Sequence, residues 1–162
     1  MSRLVITADT HLPSHRAGQL PGELLAACEG AAAILHAGDV TSPEVLEILA
    51  GYAPVHAVLG NCDPWSLAHL PERLTIDVTP ALRIGMVHDA GPAAGRSARA
   101  AAAFPGCAIV VYGHTHMPEV ASEDGLVLLN PGSPTQRRRA PRHSFAVLDV
   151  EHEPALPVLH RL

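Results

Sequence analysis

The chain contains no lysine: all eleven of its Lys/Arg residues are arginine. That excludes a phosphate-binding P-loop lysine, a Schiff-base lysine and a Ser–Lys pair. Long apolar runs are missing too. Charged, proline or glycine residues interrupt each one short of the roughly 18–20 residues a membrane-spanning helix needs. The opening MSRLVITADTHLP turns acidic too early for a secretory signal. Cysteine is sparse: Cys28, Cys62 and Cys107 are widely spaced, without a CxxC pair. An odd, dispersed set predicts reduced thiols in the cytoplasm and no disulfide framework. The net charge of −5 argues against a general nucleic-acid-binding surface, while leaving room for a local basic patch.

What is present fits an ordinary globular chain. At 162 residues with 48% hydrophobic content it can bury a substantial core, and a single domain over 1–162 is expected. Apolar runs alternate with helical patterns. Strands are predicted over 3–9, 32–39 and 54–61, with helices over 22–30 and 43–51, the second opened by Pro43 and closed by Gly51. That alternation indicates βαβ units and a parallel sheet covered on both faces. The second half is richer in β: a hairpin over 74–78 and 82–88, strands at 108–113, 126–130 and 144–150, and one more at 156–162. An Ala/Arg-rich helix is predicted over 94–104.

Eleven histidines are several times the usual number for this length. In 107-CAIVVYGHTHMPEV-120, His114 and His116 stand one residue apart at the end of an apolar run. On an extended chain both would point to one side. Asp9 and His11 follow VITA, Asp39 follows LHAG, Asn61 follows AVLG and His88 follows RIGMV. Singly, each has a plainer reading, such as a helix N-cap for an Asp or a turn for Gly-Asn. Together they place two Asp, one Asn and four His at the carboxyl ends of five strands, the edge where ligands bind in α/β sheets. Seven N/O donors exceed what one tetrahedral zinc uses, but suit two cations about 3.5–4 Å apart sharing a carboxylate. Carboxylate, amide and imidazole donors without thiolate favour Mn²⁺, Fe²⁺, Ni²⁺ or Zn²⁺ over a soft ion.

The ordered set D-x-H, G-D, G-N-x-D, a later His and G-H-x-H resembles the calcineurin-like metallophosphoesterase superfamily across nearly the whole chain. GNCD at 60–63 and NPGS at 130–133 resemble its small bacterial and archaeal phosphodiesterase branch. The resemblance implies a four-layer αββα sandwich and a cytoplasmic phosphodiesterase with two divalent transition-metal ions, Mn²⁺ first among them. Carried over by position, Asp9, His11 and His116 would hold one metal. Asn61, His88 and His114 would hold the other, and Asp39 would bridge; Asp39, Asn61 and His114 are then the catalytic members. A hydroxide between the ions would attack phosphorus in line. The expected partner is a small-molecule phosphate ester, with no membrane; nucleic acid is disfavoured and a homo-oligomer is left open. Two rival readings follow from the same fold: a non-catalytic protein-interaction scaffold with a degraded site, and a nuclease.

Two positions depart from the family pattern. Cys62 stands where many members carry a histidine, and a thiol with an ordinary pKa of about 8.5 is a weak proton donor. Asp89 replaces the glycine after His88, and reads either as a partner of an imidazole or as a loop carboxylate. Asp63 has two readings as well, a support for the metal ligands or a turn residue. His36 and His56 are expected to be packed within strands and His15 to lie at the surface. Arg137, Arg138 and Arg139 either reach substrate phosphate or form a solvated loop.

Overall fold

The computed structural model describes residues 2–162. Strands β1 (Arg3–Thr7), β2 (Ala33–His36) and β3 (Val55–Ala57) run parallel, with helix α1 (Gly22–Cys28) between the first two and α2 (Pro43–Ala50) between the last two. β4 (Arg73–Thr79) and β5 (Leu82–Val87) form the expected hairpin, followed by α3 (Arg96–Ala103) and β6 (Ile109–Val111). The chain ends with β7 (Glu119–Glu123), β8 (Leu126–Asn130), β9 (Ser144–Asp149) and β10 (Pro157–Arg161). Two five-stranded sheets result, ordered β10-β9-β1-β2-β3 and β4-β5-β6-β8-β7.

The period-2 alternation of each strand assigns its side chains to layers. Leu4 and Ile6 of β1 point between the sheets, where they meet Ile84, Met86, Val111 and Leu129 of the second sheet. Val5 points the other way, into a cluster with Leu24 and Cys28 of α1 and Val45 and Leu49 of α2. In the second sheet Val110 and Leu128 face outward onto Ala100 of α3 and Phe104. Helix, sheet, sheet and helix therefore stack as four layers. Each fully buried aliphatic side chain contributes on the order of 1.5–3 kcal/mol.

Three elements were not foreseen. β7 reads EVASE and is mostly exposed, so it lacks the apolar alternation that marks a half-buried strand; its pairing with β8 alone makes it one. Two short 3₁₀ helices, Ser14–Gln19 and Trp65–Leu67, fill loops at the carboxyl edge of the first sheet. Among the described residues no helix is long and apolar enough to cross a membrane.

Candidate metal centre

β1, β2, β3, β5 and β6 all end at the same edge of the sandwich, and the loops leaving them carry the seven expected donors. These loops are not extended. Asp9, His11, Asp39, His114 and His116 all have φ between 46° and 70°, a left-handed conformation costing a non-glycine residue about 1–2 kcal/mol. Five such residues in one place mark a backbone held by its surroundings. The extended-chain picture of His114 and His116 is therefore corrected. The strand stops at Val111, and the two imidazoles turn to different neighbours.

His116 faces Asp9 and His11. Its Nε2 lies 3.5 Å from Asp9 Oδ1, and its ring stacks on His11 at 5.0 Å between centroids. His114 faces Asn61 and His88: its Nδ1 and the Nε2 of His88 each lie 3.0 Å from Asn61 Oδ1. Asp39 stands between the groups, with Oδ2 3.3 Å from both His11 Nε2 and His88 Nε2. Ligand atoms of Asp9, His11 and His116 fall within 4.8 Å of one another, as do those of Asp9, Asp39 and His88.

Supporting bonds orient these side chains. His88 Nδ1 donates to the carbonyl of Ala37 at 2.7 Å, and His116 Nδ1 donates to that of Gln136. Each bond leaves the other ring nitrogen facing the cluster. Asp63 accepts from the amides of Asp39, Thr41 and Gly60, tying two ligand loops together; it supports the ligands and shapes the turn at once. The NPGS turn is a strut. Asn130 Nδ2 donates to Gly113 O and Thr115 Oγ1, and buried Ser133 donates to Asp9 O.

Within the cluster, the buried atoms Asp9 Oδ2, His11 Nε2 and His116 Nε2 make no well-aligned hydrogen bond, although His11 Nε2 lies in ion-pair range of Asp39 Oδ2 at 3.3 Å. Orphaned polar atoms are costly in an interior unless something binds them. Electrostatics agrees. Burial pushes the Asp9 carboxyl up to about 7, against the pull of His88. Burial works on Asp39 in the same sense, but imidazole contacts from His11 and His88 and the Cys62 amide outweigh it and hold that carboxylate well below its usual range. Burial pushes His116 down to about 4, with Arg138 adding to the effect. Adjacent carboxylates driven apart, beside imidazoles without a well-aligned hydrogen bond, form a site whose N/O donors fit a divalent cation.

The remaining expected residues divide. Cys62 is exposed, donates its amide to Asp39 Oδ1 at 2.8 Å, and brings Sγ within 4.8 Å of ligand atoms of His11 and Asp39. Its thiol is pushed up by burial and by the Asp39 charge. Asp89 is exposed; its Oδ1 accepts from the Gly91 amide and its Oδ2 lies 3.9 Å from His114 Nε2. Arg137 turns away to the carbonyl of Ala140, whereas the charge of Arg138 is felt by both His116 and Cys62. His36 is fully buried against Thr10, His56 is partly buried and His15 is exposed.

Arg73 went unnoticed in the sequence. It is exposed at the start of β4, opposite Val87, on the wall of a cavity of about 380 Å³ that Asn61, His88 and His114 also line. No local pattern signals it, because its place is set by pairing with a strand fourteen residues away in sequence.

Residues 2–153 match the calcineurin-like phosphoesterase superfamily domain. A probable metallophosphoesterase of Methanothermobacter thermautotrophicus is 36% identical over 135 residues, covering 82% of this chain and 77% of the relative. YfcE, described as a phosphoesterase from E. coli, superposes with a TM-score of 0.66 at 26% identity, over 91% of this chain and 88% of its own. Vps29 of Entamoeba histolytica, in a complex with Zn²⁺, gives a TM-score of 0.77 at 23% identity over 99% and 98% of the two chains; at that identity the likeness shows the fold.

Proposed function

This chain belongs to the calcineurin-like phosphoesterase superfamily, and from that premise we propose that it is a two-metal phosphodiesterase acting on a small-molecule phosphate ester in the cytoplasm, as one domain over 1–162. Asp9, His11 and His116 would hold one ion, Asn61, His88 and His114 the other, with Asp39 shared and Mn²⁺ the preferred metal. The observation carrying this reading is the trio of buried donor atoms on Asp9, His11 and His116 that make no well-aligned hydrogen bond, beside a second cluster built around Asn61 Oδ1. When bound, the ions supply an activated water nucleophile and neutralise phosphoryl charge.

The chain's own contribution is positioning. Asp63 and Ser133 brace the ligand loops, and the carbonyls of Ala37 and Gln136 fix the imidazole tautomers. His114, with a side chain 43% exposed, forms the open side of the cluster where substrate enters. Arg138 supplies positive charge at the rim. Burial and then the Asp39 charge push the Cys62 thiol up so that it keeps its proton, and leaving groups that depart without protonation are favoured. A scaffold role would tolerate loss of the donors, yet all seven are in place. The net charge of −5 disfavours a nuclease, which would have to grip nucleic acid through a local basic patch alone.

The test is reconstitution. Chelator-stripped protein loaded with Mn²⁺ should take up two ions per chain and hydrolyse bis(p-nitrophenyl) phosphate faster than p-nitrophenyl phosphate. Failure to bind metal, or turnover indifferent to chelator, overturns the reading.

A further inference from the structure

The cavity beside Asn61, His88 and His114 does not end there. Arg73, Val87 and Asp89 line it and also line a second cavity of about 240 Å³, whose floor is Ala100, Ala103 and Phe104. One groove thus runs from the Asn61 half of the metal centre, past Arg73, to an apolar trough between β5 and α3.

The arginines of β4, β5 and α3, of which Arg73 and Arg99 line this groove, differ in how far they are committed. Arg83 pairs with Asp77, Arg96 binds Tyr112 and Glu119, and Arg99 spends its guanidinium on the carbonyls of Ala90, Pro92 and Ala94. Among the described residues nothing holds Arg73 by a hydrogen bond or an ion pair. It is the free cation at the waist of the groove.

What would lie beneath it is decided by its neighbours. Glu72 and Asp89 line the same stretch, so a second anion on the substrate would meet two carboxylates. An uncharged flat ring meets no such repulsion; it can rest on the Val87 and Phe104 side of the trough while the planar guanidinium stacks on its face. We propose that the groove binds an aromatic or heteroaromatic ester arm of a phosphodiester, with Arg73 as its specificity-determining residue. This rests on the reading that Asn61, His88 and His114 help hold the phosphoryl group.

The test uses inert probes, phenylphosphonate and methylphosphonate, which differ only in the arm. Calorimetry on the Mn²⁺-loaded protein should show the phenyl compound binding about three- to tenfold tighter, with Arg73→Ala erasing most of that preference and weakening methylphosphonate far less than phenylphosphonate. Arg73→Lys, which keeps the charge but loses the plane, should lie between. Arg73 is exposed, so the variants should unfold at the parent's temperature. Equal affinity for the two probes in the parent, or an undiminished preference in Arg73→Ala, overturns the groove and leaves the phosphoesterase reading standing. If phosphonoacetate outbinds phenylphosphonate through Arg73, the arm is anionic and the proposal is wrong. Binding of neither phosphonate by the metal-loaded parent overturns both readings.

Discussion

Gly38 and His88 sit so close that a Cβ on the glycine would lie 2.7 Å from Nδ1 of the imidazole. Gly38 also has φ of 88°, so here both the conformation and the space require glycine. Gly38→Ala should therefore push His88 out of line with Asn61 and cost about 1–3 kcal/mol of stability. Gly125→Ala supplies the control, since Gly125 has a similar φ of 81° and open space around it. Thermal unfolding should fall in both variants. Metal content by elemental analysis should fall only in Gly38→Ala.

Metal removal should loosen the fold. A ligand that binds only the native state stabilises it by about 2.7 kcal/mol at a hundred times its dissociation constant. The unfolding temperature should rise with Mn²⁺ concentration and drop on chelation. Asp39→Asn should reduce occupancy at both positions and His114→Ala at one. Two ions retained in both variants would contradict the shared role of Asp39.

His36 should govern part of the acid response. Thr10 Oγ1 donates to the Val40 carbonyl, so His36 Nε2 is the donor to Thr10 and the buried Nδ1 is left without a partner. Burial, then the charge of His88, pushes its pKa down to about 3. An unfolded histidine takes a proton near 6.5. Between those values the unfolded state binds more protons, so His36 makes stability fall as pH falls, by up to about 1.4 kcal/mol per unit. Asp9 has the opposite sign in the metal-free protein. Its pKa near 7 means that its contribution is present below about 4 and lost as pH rises through 7. The two slopes partly cancel in the parent. His116, pushed down to about 4, slopes the same way as His36. In metal-free His36→Leu stability should therefore fall less steeply than in the parent between about pH 6.5 and pH 4 in denaturant titrations, with the opposed Asp9 and His116 slopes left in both. A parallel profile in parent and variant would remove His36 from the account.

The three neighbouring arginines should separate kinetically. Arg138→Ala should raise KM for an anionic diester about three- to tenfold, the range for a partly solvated charge-assisted contact. Arg137→Ala and Arg139→Ala should change it little. A uniform effect across all three would indicate bulk charge at the rim.

If Cys62 stands in the general-acid position, it should set the leaving-group range. General-acid help is worth about 10²–10⁴-fold, and the thiol beside Asp39 holds its proton too firmly to give it. The parent should prefer aryl over alkyl diesters. Cys62→His should narrow that gap while keeping both metals. An unchanged rate ratio would assign the proton to water or to another histidine.

Much of this protein is local. The apolar runs of β1, β2, β5, β6, β8 and β9, the Pro43 start of α2 and the glycines before Asp39, Asn61 and His114 are all readable along the chain. They dictate strands, helices and the placing of seven donors at one edge. Other features depend on partners distant in sequence. β7 exists only because β8 pairs with it, and Asp63 matters because three amides of two loops converge on it. His114 and His116, one residue apart in sequence, go to different clusters because left-handed turns separate them. Arg73 reaches the groove through its register with Val87. Backbone preference and hydrophobic period act over a few residues, so sequence alone determined most of the elements and the donor set. The turning of His116 toward Asp9 and of His114 toward Asn61, the bracing of their loops and the groove beside them arise from long-range packing, and only the tertiary structure could decide them.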